Sequence, residues 1–378
     1  MKIVVIGAAG EVGRAVTEDL AVHSGAEEII AADLDGRRVA AMAGAFGPRV
    51  SAVEVDVRDR ERSLHVLAGA DLLMNCTSFL LAREAFGLAA AARVNYADLI
   101  SEPTEADRSL VEEAGITAIS GLGATPGLSN VLVAHAAGEL EKIEEVHVSW
   151  ASFRTIAPSR GLLDTIIWEL ADDCPTRRYF QNGRHHRARF MEGSRVVEFA
   201  EPVGMQRVYY VPHPEVETVP RNFSTLSFCA VRGTWRPELM ADFAVLNRYG
   251  LLDGEAVEAT KEQIWRRFGG RRDDAGSYLF VQVEVIAVRE NGEATRRVYN
   301  VHHPVDWTHD ATGRMTGVCA AVGAQLFAQR GAARAGFVDP EVYYDPNEYL
   351  AELEKRQSVS VEWTDSLVTD RKLEPTSI

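Results

Sequence analysis

The chain has 378 residues, of which 46% are hydrophobic and 25% are charged, as in an ordinary globular protein. At about 150 residues per domain, this length predicts two or three domains. The net charge of -15 argues against nucleic-acid binding, which needs clustered cations, so the expected partner is a small molecule. No apolar run reaches the roughly 18 residues of a membrane span, and membrane insertion is not expected.

Cysteine and histidine spacing argues against disulfides and metal sites. The four cysteines form no CxxC pair, and they are Cys76, Cys174, Cys229 and Cys319. The pairs His185–His186 and His302–His303 are adjacent on predicted strands, where neighbouring side chains point to opposite faces and cannot chelate one ion together. We therefore expect no bound metal and a reducing, cytoplasmic location.

The hydrophobic pattern changes character once along the chain. Up to about residue 125, short β-rich runs alternate with amphipathic stretches, a rhythm that predicts six strands in a doubly wound parallel sheet. Longer alternating runs then predict a mainly antiparallel sheet, with a hairpin turn at Asn291 and Gly292. The predicted fold class is α/β, with an N-terminal Rossmann domain and a second α+β domain.

These patterns predict the domain boundaries. Residues 1–125 form the dinucleotide-binding domain, which a returning helix near 311–345 completes, and residues 126–310 form a substrate-binding and dimerisation domain. Residues 357–378 lack periodicity and are interpreted as a tail. We expect a homodimer, because the long hairpin near the NVHHP segment offers a strand edge for pairing.

The opening KIVVIGAAGEVGRAV predicts the cofactor site. Gly7, Gly10 and Gly13 form a GxxGxxG array between a strand and a helix. Gly7 permits the tight turn, Gly10 allows the pyrophosphate to approach the backbone, and Gly13 allows close helix packing. The helix N-terminus presents N–H groups to the anion. The predicted cofactor contacts in this turn also include Ala9, Glu11 and Val12.

Residues after later strands predict the rest of the cofactor site. Asp33 ends the second strand, where a carboxylate bonds ribose hydroxyls and repels a 2′-phosphate, so NAD is favoured. Arg37 and Arg38 follow closely and can accept a 2′-phosphate, which keeps NADP open. Asp56 is placed to meet the adenine edge. The nicotinamide side is predicted after the fourth strand, at Cys76, Thr77 and Ser78.

Several motifs resemble the saccharopine dehydrogenase superfamily, in particular its saccharopine reductases and lysine 6-dehydrogenases. These are IGAAGEVGRAV, NYADLISEP, GLGATPGLSN and AVRGTWRPELMADFAVLNRYGLLDGE, with SRGLLD and FQNGRHHR closer to the lysine 6-dehydrogenases. The likeness covers roughly residues 1–340. It implies NAD(P)-dependent hydride transfer at a carbon bearing nitrogen: an amine of an amino acid or polyamine oxidised to an imine, or an amine coupled reductively with a carbonyl compound.

Such chemistry needs a base or carboxylate near the nitrogen and cationic donors for a substrate carboxylate. Asp98, which ends the fifth strand, is the first catalytic candidate, and Glu102 follows in the same loop. The segment HPEVETVPRNF is predicted to be a loop rich in titratable groups that lines the substrate site. From it, His213 is a catalytic candidate, and Glu215 and Arg221 are substrate-binding candidates.

Arg232 in VRGTWR resembles the position at which saccharopine reductases hold a substrate carboxylate, and Thr234 follows it as a second substrate-binding candidate. The planar guanidinium suits a bidentate grip on a carboxylate. Two other functions stay open at this point. One is a ketone or aldehyde reductase without amine chemistry, and the other is a non-catalytic nicotinamide-sensing protein.

Overall fold

A computed structural model describes residues 1–271, 276–289, 291–307 and 309–368. The chain divides into two compact units. The N-terminal unit contains Met1–Leu128 and Gly313–Gln357, and the C-terminal unit contains Ser129–Thr312 and the segment that starts at Ser358. Within the described ranges, no helix is long and apolar enough to cross a membrane.

The N-terminal unit is built on a seven-stranded parallel sheet in the order β15-β6-β5-β4-β1-β2-β3. The strands are β1 (Lys2–Ile6), β2 (Glu28–Asp33), β3 (Val50–Glu54), β4 (Leu72–Asn75), β5 (Asn95–Asp98), β6 (Thr117–Ile119) and β15 (Gly336–Phe337). The predicted Rossmann-type fold class is confirmed. The prediction of six strands was wrong by one, because the two residues of β15 are too short to show a period.

Helices connect these strands, and polar side chains cap several of them. They are α1 (Glu11–His23), α2 (Gly36–Phe46), α3 (Arg60–Leu67), a 3-10 turn (Phe79–Leu81), α4 (Ala82–Ala92), α5 (Glu105–Glu113), α12 (Pro340–Tyr343) and α13 (Pro346–Lys355). Asp35, Asp59 and Thr104 each accept a backbone N–H at a helix start, which satisfies a donor that the helix leaves unpaired. These caps fix where each helix begins beside the carboxyl end of a strand.

Two helices cross the unit boundary in sequence, namely α6 (Leu128–Glu139) and α11 (Ala311–Arg330). From Gly313 onward, α11 packs against α1. A Cβ on Gly317 would lie 2.4 Å from the Ala15 Cβ, so the glycine allows the two helices to approach closely. Arg356 then pairs with Asp19 of α1 at 3.3 Å. Residues Gly313–Gln357 thus belong to the same compact unit as the first 128 residues.

The C-terminal unit contains a nine-stranded, mainly antiparallel sheet in which β7 and β12 run parallel. The path is β10-β11-β12-β7-β13-β14-β16, with β8 on β12 and β9 on β8. The strands are β7 (Lys142–Phe153), β8 (Arg178–Gln181), β9 (Arg184–Arg187), β10 (Arg195–Glu198), β11 (Met205–Tyr210), β12 (Phe228–Trp235), β13 (Tyr278–Val288), β14 (Ala294–His302) and β16 (Ser360–Leu367). The predicted mainly antiparallel second domain is confirmed.

In the described part of this unit, four helices lie wholly within its boundaries: α7 (Arg160–Leu170), α8 (Glu215–Asn222), α9 (Pro237–Arg248) and α10 (Ala256–Phe268). The predicted hairpin is β13–β14, and Gly292 has a φ of 84° in its turn. Asn291, by contrast, does not have a positive φ. Its side-chain oxygen accepts the Glu293 N–H at 2.9 Å, so the turn is stabilised by a hydrogen bond between a side chain and the backbone.

The segment interpreted as a tail contains a strand. β16 pairs antiparallel with β14, and Arg297 holds Asp365 through two hydrogen bonds of 2.7 and 2.8 Å. The partner strand β14 lies about sixty to seventy residues earlier in the chain. The residues of β16 by themselves therefore show only a weak strand pattern in the sequence. Residues 369–378 lie outside the described residues. β16 also covers the outer edge of β14, so the hairpin does not offer the free edge that was predicted.

Candidate active site

The glycine turn has the geometry of a dinucleotide cradle. Gly7 has a φ of 81°, and a Cβ there would lie 2.6 Å from the Cys76 carbonyl carbon. A Cβ on Gly13 would lie 2.2 Å from the Gly7 carbonyl oxygen. Gly10 differs, because among the described residues, apart from its two chain neighbours, only the Gly7 oxygen lies within 4 Å of its Cβ position, at 3.2 Å. Gly7 and Gly13 therefore allow backbone segments to pack closely, whereas Gly10 leaves space in front of the N-terminus of α1.

Asp33 ties the turn to the end of β2. Its two carboxylate oxygens accept the backbone N–H groups of Ala9 at 2.9 Å and Asp35 at 3.0 Å. Next to it is an open hollow of about 410 Å³. The hollow is lined by Asp33, Leu34, Asp35, Gly36, Arg37 and Glu54. Arg37 thus borders the space where an adenosine ribose would bind, and Arg38 is exposed outside this lining.

Asp56 lies after β3, as predicted, but its carboxylate is engaged within the protein. Arg58 donates to it from Nε at 3.0 Å and from Nη2 at 2.8 Å. These hydrogen bonds lower the pKa of Asp56. This pairing orients the carboxylate toward Arg58. Contact of Asp56 with the adenine edge stays a prediction.

A buried hydrogen-bond chain crosses the carboxyl ends of β4, β5 and β6. The Thr77 hydroxyl donates to Asn75 Oδ1 at 2.7 Å, and Asn75 Nδ2 donates to the Tyr96 hydroxyl at 2.9 Å. Tyr96 donates to Asp98 Oδ2 at 2.9 Å, and the Ser120 hydroxyl donates to Asp98 Oδ1 at 2.9 Å. This chain, from Thr77 to Ser120, joins three loops at the edge of the sheet where ligands bind in Rossmann folds.

Asp98 is the centre of this chain and is almost completely buried. Burial raises the pKa of Asp98, and hydrogen bonds from Ser101, Ser120 and Tyr96 oppose that rise. Its carboxylate also accepts the Gly121 N–H at 3.2 Å, and its main-chain oxygen accepts the Leu122 N–H at 2.7 Å. Asp98 therefore anchors the following turn, and its predicted role as a base stays a prediction.

The other predicted residues at this edge have different surroundings. Burial raises the pKa of Cys76 far above its usual range, so its side chain is a neutral thiol. Ser78 accepts the Leu80 N–H and caps the short 3-10 turn. Glu102 is exposed after β5. Cys76 is therefore a neutral side chain at this edge of the sheet, and Ser78 is a helix cap. Contact of either residue with the cofactor stays a prediction, as does the role of Glu102.

His213 lies in a buried polar cluster of the C-terminal unit. Its Nε2 is 3.3 Å from Glu169 Oε1, and its Nδ1 is 3.4 Å from Glu215 Oε2. Ser129 donates to the other Glu215 oxygen at 2.8 Å. Burial lowers the pKa of His213, but hydrogen bonds and charges from the two glutamates outweigh burial and raise it to about 9. His213 is therefore an imidazolium at neutral pH.

The segment from His213 to Arg221 was predicted to be a loop, and this was wrong. Residues Glu215–Asn222 form α8, with Pro220 inside the helix. The proline and the charged residues hid a short helix whose buried face consists of Glu215, Val216 and Val219. Arg221 lies in its last turn. The helix matters for the site because it fixes Glu215 against His213.

Arg232 lies in a closed network on β12. Its Nε donates to the Gly193 carbonyl oxygen at 2.8 Å and its Nη2 to the Tyr210 hydroxyl at 3.2 Å. Its Nη1 is 3.2 Å from His147 Nδ1, and the side chain is fully buried. These are the contacts of a structural arginine. The role of Arg232 as a carboxylate ligand stays a prediction that these contacts do not favour.

The sheet register separates Arg232 from His213. Arg232 pairs with Ser149, and the next pair is Gly233 with Trp150. Adjacent strand residues point to opposite faces, so Arg232 and Trp150 lie on different faces of the sheet. The Trp150 ring is 5.9 Å from the His213 ring. Thr234 shares the face of Arg232, and its hydroxyl donates to the Trp235 carbonyl oxygen.

Sequence reasoning did not identify several residues of these clusters. They are Glu54, Ser120, Trp150 and Glu169. The contact between Tyr96 and Asp98 has a usable signal in the sequence, because in NYAD Tyr96 is two residues before Asp98 on the same strand face. Glu169 carried none, since in α7 it reads as an ordinary polar helix position. Its contact with His213 forms only because α7 packs near the residues that precede α8.

We expect His213 to make stability depend on pH. Its folded pKa of about 9 lies above the ordinary value of 6.5, so its protonation adds stability that is fully present below pH 6.5 and lost as pH rises through about 9. The shift corresponds to at most roughly 3 kcal/mol. Thermal melting between these pH values should show a steeper loss for the wild type than for His213→Gln. His23→Gln, at an exposed histidine of α1, serves as control. Equal slopes for all three proteins would contradict the assignment.

The parallel sheet, the open position at Gly10 and the carboxylate at the end of β2 define a nicotinamide-dependent oxidoreductase of the Rossmann class. Residues 3–119 match the family model described as the saccharopine dehydrogenase NADP binding domain. Residues 123–359 match the model described as the saccharopine dehydrogenase C-terminal domain. The chain belongs to the saccharopine dehydrogenase family, and it is an NAD(P)-dependent oxidoreductase of the CH–NH class.

Two solved structures share the fold over nearly the whole chain. Saccharopine dehydrogenase (L-Glu forming) from Saccharomyces cerevisiae is 14% identical, with a TM-score of 0.72 over 97% of this chain and 99% of that one. Homospermidine synthase from Legionella pneumophila, in complex with NAD, is 16% identical, with a TM-score of 0.62 over 100% of this chain and 95% of that one. The family resemblance and the NAD(P) cofactor are thereby confirmed.

Proposed function

We propose that the protein oxidises a C–N bond of an amino acid or polyamine, or forms one reductively, with NAD as the preferred cofactor. The family supports the reaction class, and the two structural neighbours are named for an amino acid and a polyamine. The nicotinamide supplies the hydride acceptor or donor. In the oxidative direction a hydride leaves the carbon, a proton leaves the nitrogen, and a C=N bond forms.

The observation that carries this proposal is the cluster around His213. A buried imidazolium held by Glu169 and Glu215 carries a net charge of about -1 when both carboxylates are ionised, which favours a cationic amine over an anion. Its pKa of about 9 suits a proton donor to nitrogen in the reductive direction. We therefore propose His213 as the acid: one of its two N–H groups leaves its glutamate to reach the substrate nitrogen, while the other glutamate keeps the ring charged.

Asp98 has a different role in this proposal. Its carboxylate is occupied by donors of its own unit, so we assign it as a positioning residue that holds the turn after β6. Arg221 and Glu102 remain candidates for contacts with the substrate. In this scheme Arg232 supports the sheet face on which it lies.

Turnover measurements with amino acids and polyamines, each with NAD and with NADP, test the function through cofactor absorbance. Amine substrates should react, and ketones or aldehydes offered without an amine should not. Turnover of those carbonyl compounds alone would favour the simple reductase, and cofactor binding without any turnover would favour the nicotinamide sensor. With an active substrate, His213→Gln should lower kcat by about 100-fold or more, while His23→Gln should not. A His213→Gln protein with unchanged kcat would remove His213 from the mechanism.

We also propose a cytoplasmic homodimer. All four cysteines are free thiols in the structure, which supports a reducing compartment. The edge strand β16 exposes Trp363 and Leu367, and edge strands readily pair with another chain. A monomeric mass in solution at micromolar concentration would contradict the dimer.

A further inference from the structure

We propose that Glu54, at the end of β3, is a specificity-determining residue that disfavours the 2′-phosphate of NADP. Glu54 is the register partner of Asp33, so the two carboxylates end neighbouring strands at the same edge of the sheet. Both line the hollow of about 410 Å³ beside the glycine turn. This inference rests on the proposed preference for NAD and names a second residue that enforces it.

The position of Glu54 depends on the glycine at the start of α2. A Cβ on Gly36 would lie 2.2 Å from the Glu54 Oε2 and 2.8 Å from its Cβ. Only a residue without a side chain leaves room for the carboxylate to rest on the backbone there. The Glu54 carboxylate thus lies against the start of α2, close to the segment that follows Asp33.

The three carboxylates of the hollow are not equivalent. Each carboxylate oxygen of Asp33 accepts a hydrogen bond from a backbone N–H, and the Asp35 side chain accepts the Arg38 N–H as a helix cap. For Glu54, no hydrogen bond or ion pair is found within the described part of the chain, and its side chain is exposed. Its charge therefore acts on whatever occupies the hollow, without an ion pair that neutralises it.

The charge of the hollow favours a ribose hydroxyl over a phosphate. Three carboxylates face a single lining cation, Arg37, so the lining carries a net charge of about -2. A 2′-phosphate bound there would bring nearly two further negative charges into the hollow that Glu54 lines. Removing one carboxylate from such a position should favour NADP by about three- to tenfold at low ionic strength, and added salt should shrink the effect.

The test compares the NADP to NAD ratio of dissociation constants, from fluorescence titration, in the wild type, Glu54→Gln and Glu54→Asp. Glu54→Gln should shift the ratio toward NADP by about three- to tenfold and reduce its salt dependence. Glu54→Asp keeps the charge and should retain most of the wild-type preference. Glu113→Gln is the matched control, because this exposed carboxylate ends α5, at the opposite edge of the sheet from the strand carboxyl ends.

The possible results are distinct. A ratio in Glu54→Gln within twofold of the Glu113→Gln value would overturn the role of Glu54. An equal shift in Glu54→Asp and Glu54→Gln would show that shape rather than charge is responsible, and would overturn it as well. A wild type that binds NADP more tightly than NAD would instead contradict the proposed cofactor preference, and is recognised before any variant is made.

Discussion

Replacing Gly10 with valine is expected to abolish dinucleotide binding and to leave the fold intact. The backbone of Gly10 has a φ of -68° and a ψ of 166°, which an L-residue adopts without strain. Its Cβ position meets only the Gly7 carbonyl oxygen, at 3.2 Å, so a shift of a few tenths of an ångström accommodates it. The rest of the side chain occupies the space that the pyrophosphate needs, and affinity should fall by at least about 100-fold.

Gly13→Val is the matched comparison for this prediction. A Cβ on Gly13 would lie 2.2 Å from the Gly7 oxygen and 2.9 Å from the Ala8 Cα, and backbone atoms cannot move aside as a flexible side chain does. Gly13→Val should therefore lower the melting temperature as well as cofactor affinity. Cofactor fluorescence titration and circular dichroism melting separate the two effects. A folded Gly10→Val protein that titrates normally would remove the glycine turn from the cofactor site.

Asp98→Asn is expected to destabilise the N-terminal unit and to lower kcat through the turn that Asp98 holds. The carboxylate accepts hydrogen bonds from Tyr96, Ser120 and the Gly121 N–H. An amide has one acceptor oxygen, so its NH₂ group must face a donor in a buried site. The cost should be about 2 to 3 kcal/mol, measured as the loss in free energy of unfolding.

Tyr96→Phe tests the same hydrogen-bond chain from its neighbour. It removes the hydroxyl that donates to Asp98 and accepts from Asn75, and should cost about 1 kcal/mol. Both variants should lower kcat in proportion to the disturbance of the turn, without a new ionisation in the pH profile. If Asp98 is the base instead, Asp98→Asn should lose far more kcat than Tyr96→Phe does for the same loss of stability, and should reshape the acidic limb of the profile.

The cofactor half of this protein could be predicted from the sequence in detail. The βαβ rhythm, the glycine spacing and the carboxylate of Asp33 are local patterns, because strand period, backbone freedom and the distance from a strand end to the next helix involve neighbours in the chain. The family resemblance extended the prediction to the reaction class. The alternation of the second half likewise predicted a mainly antiparallel sheet and the β13–β14 hairpin.

Tertiary structure alone decided which side chains meet. Arg232 was predicted as a substrate ligand and His213 as a catalytic residue, but strand register places Arg232 on the sheet face opposite Trp150, whose ring is 5.9 Å from the His213 ring. The pKa of His213 is raised by Glu215 and by Glu169, and Glu169 is 44 residues earlier in the chain. The strand β16 forms only because β14 offers an edge. Such contacts depend on register and packing between distant segments, and a linear pattern carries no record of either.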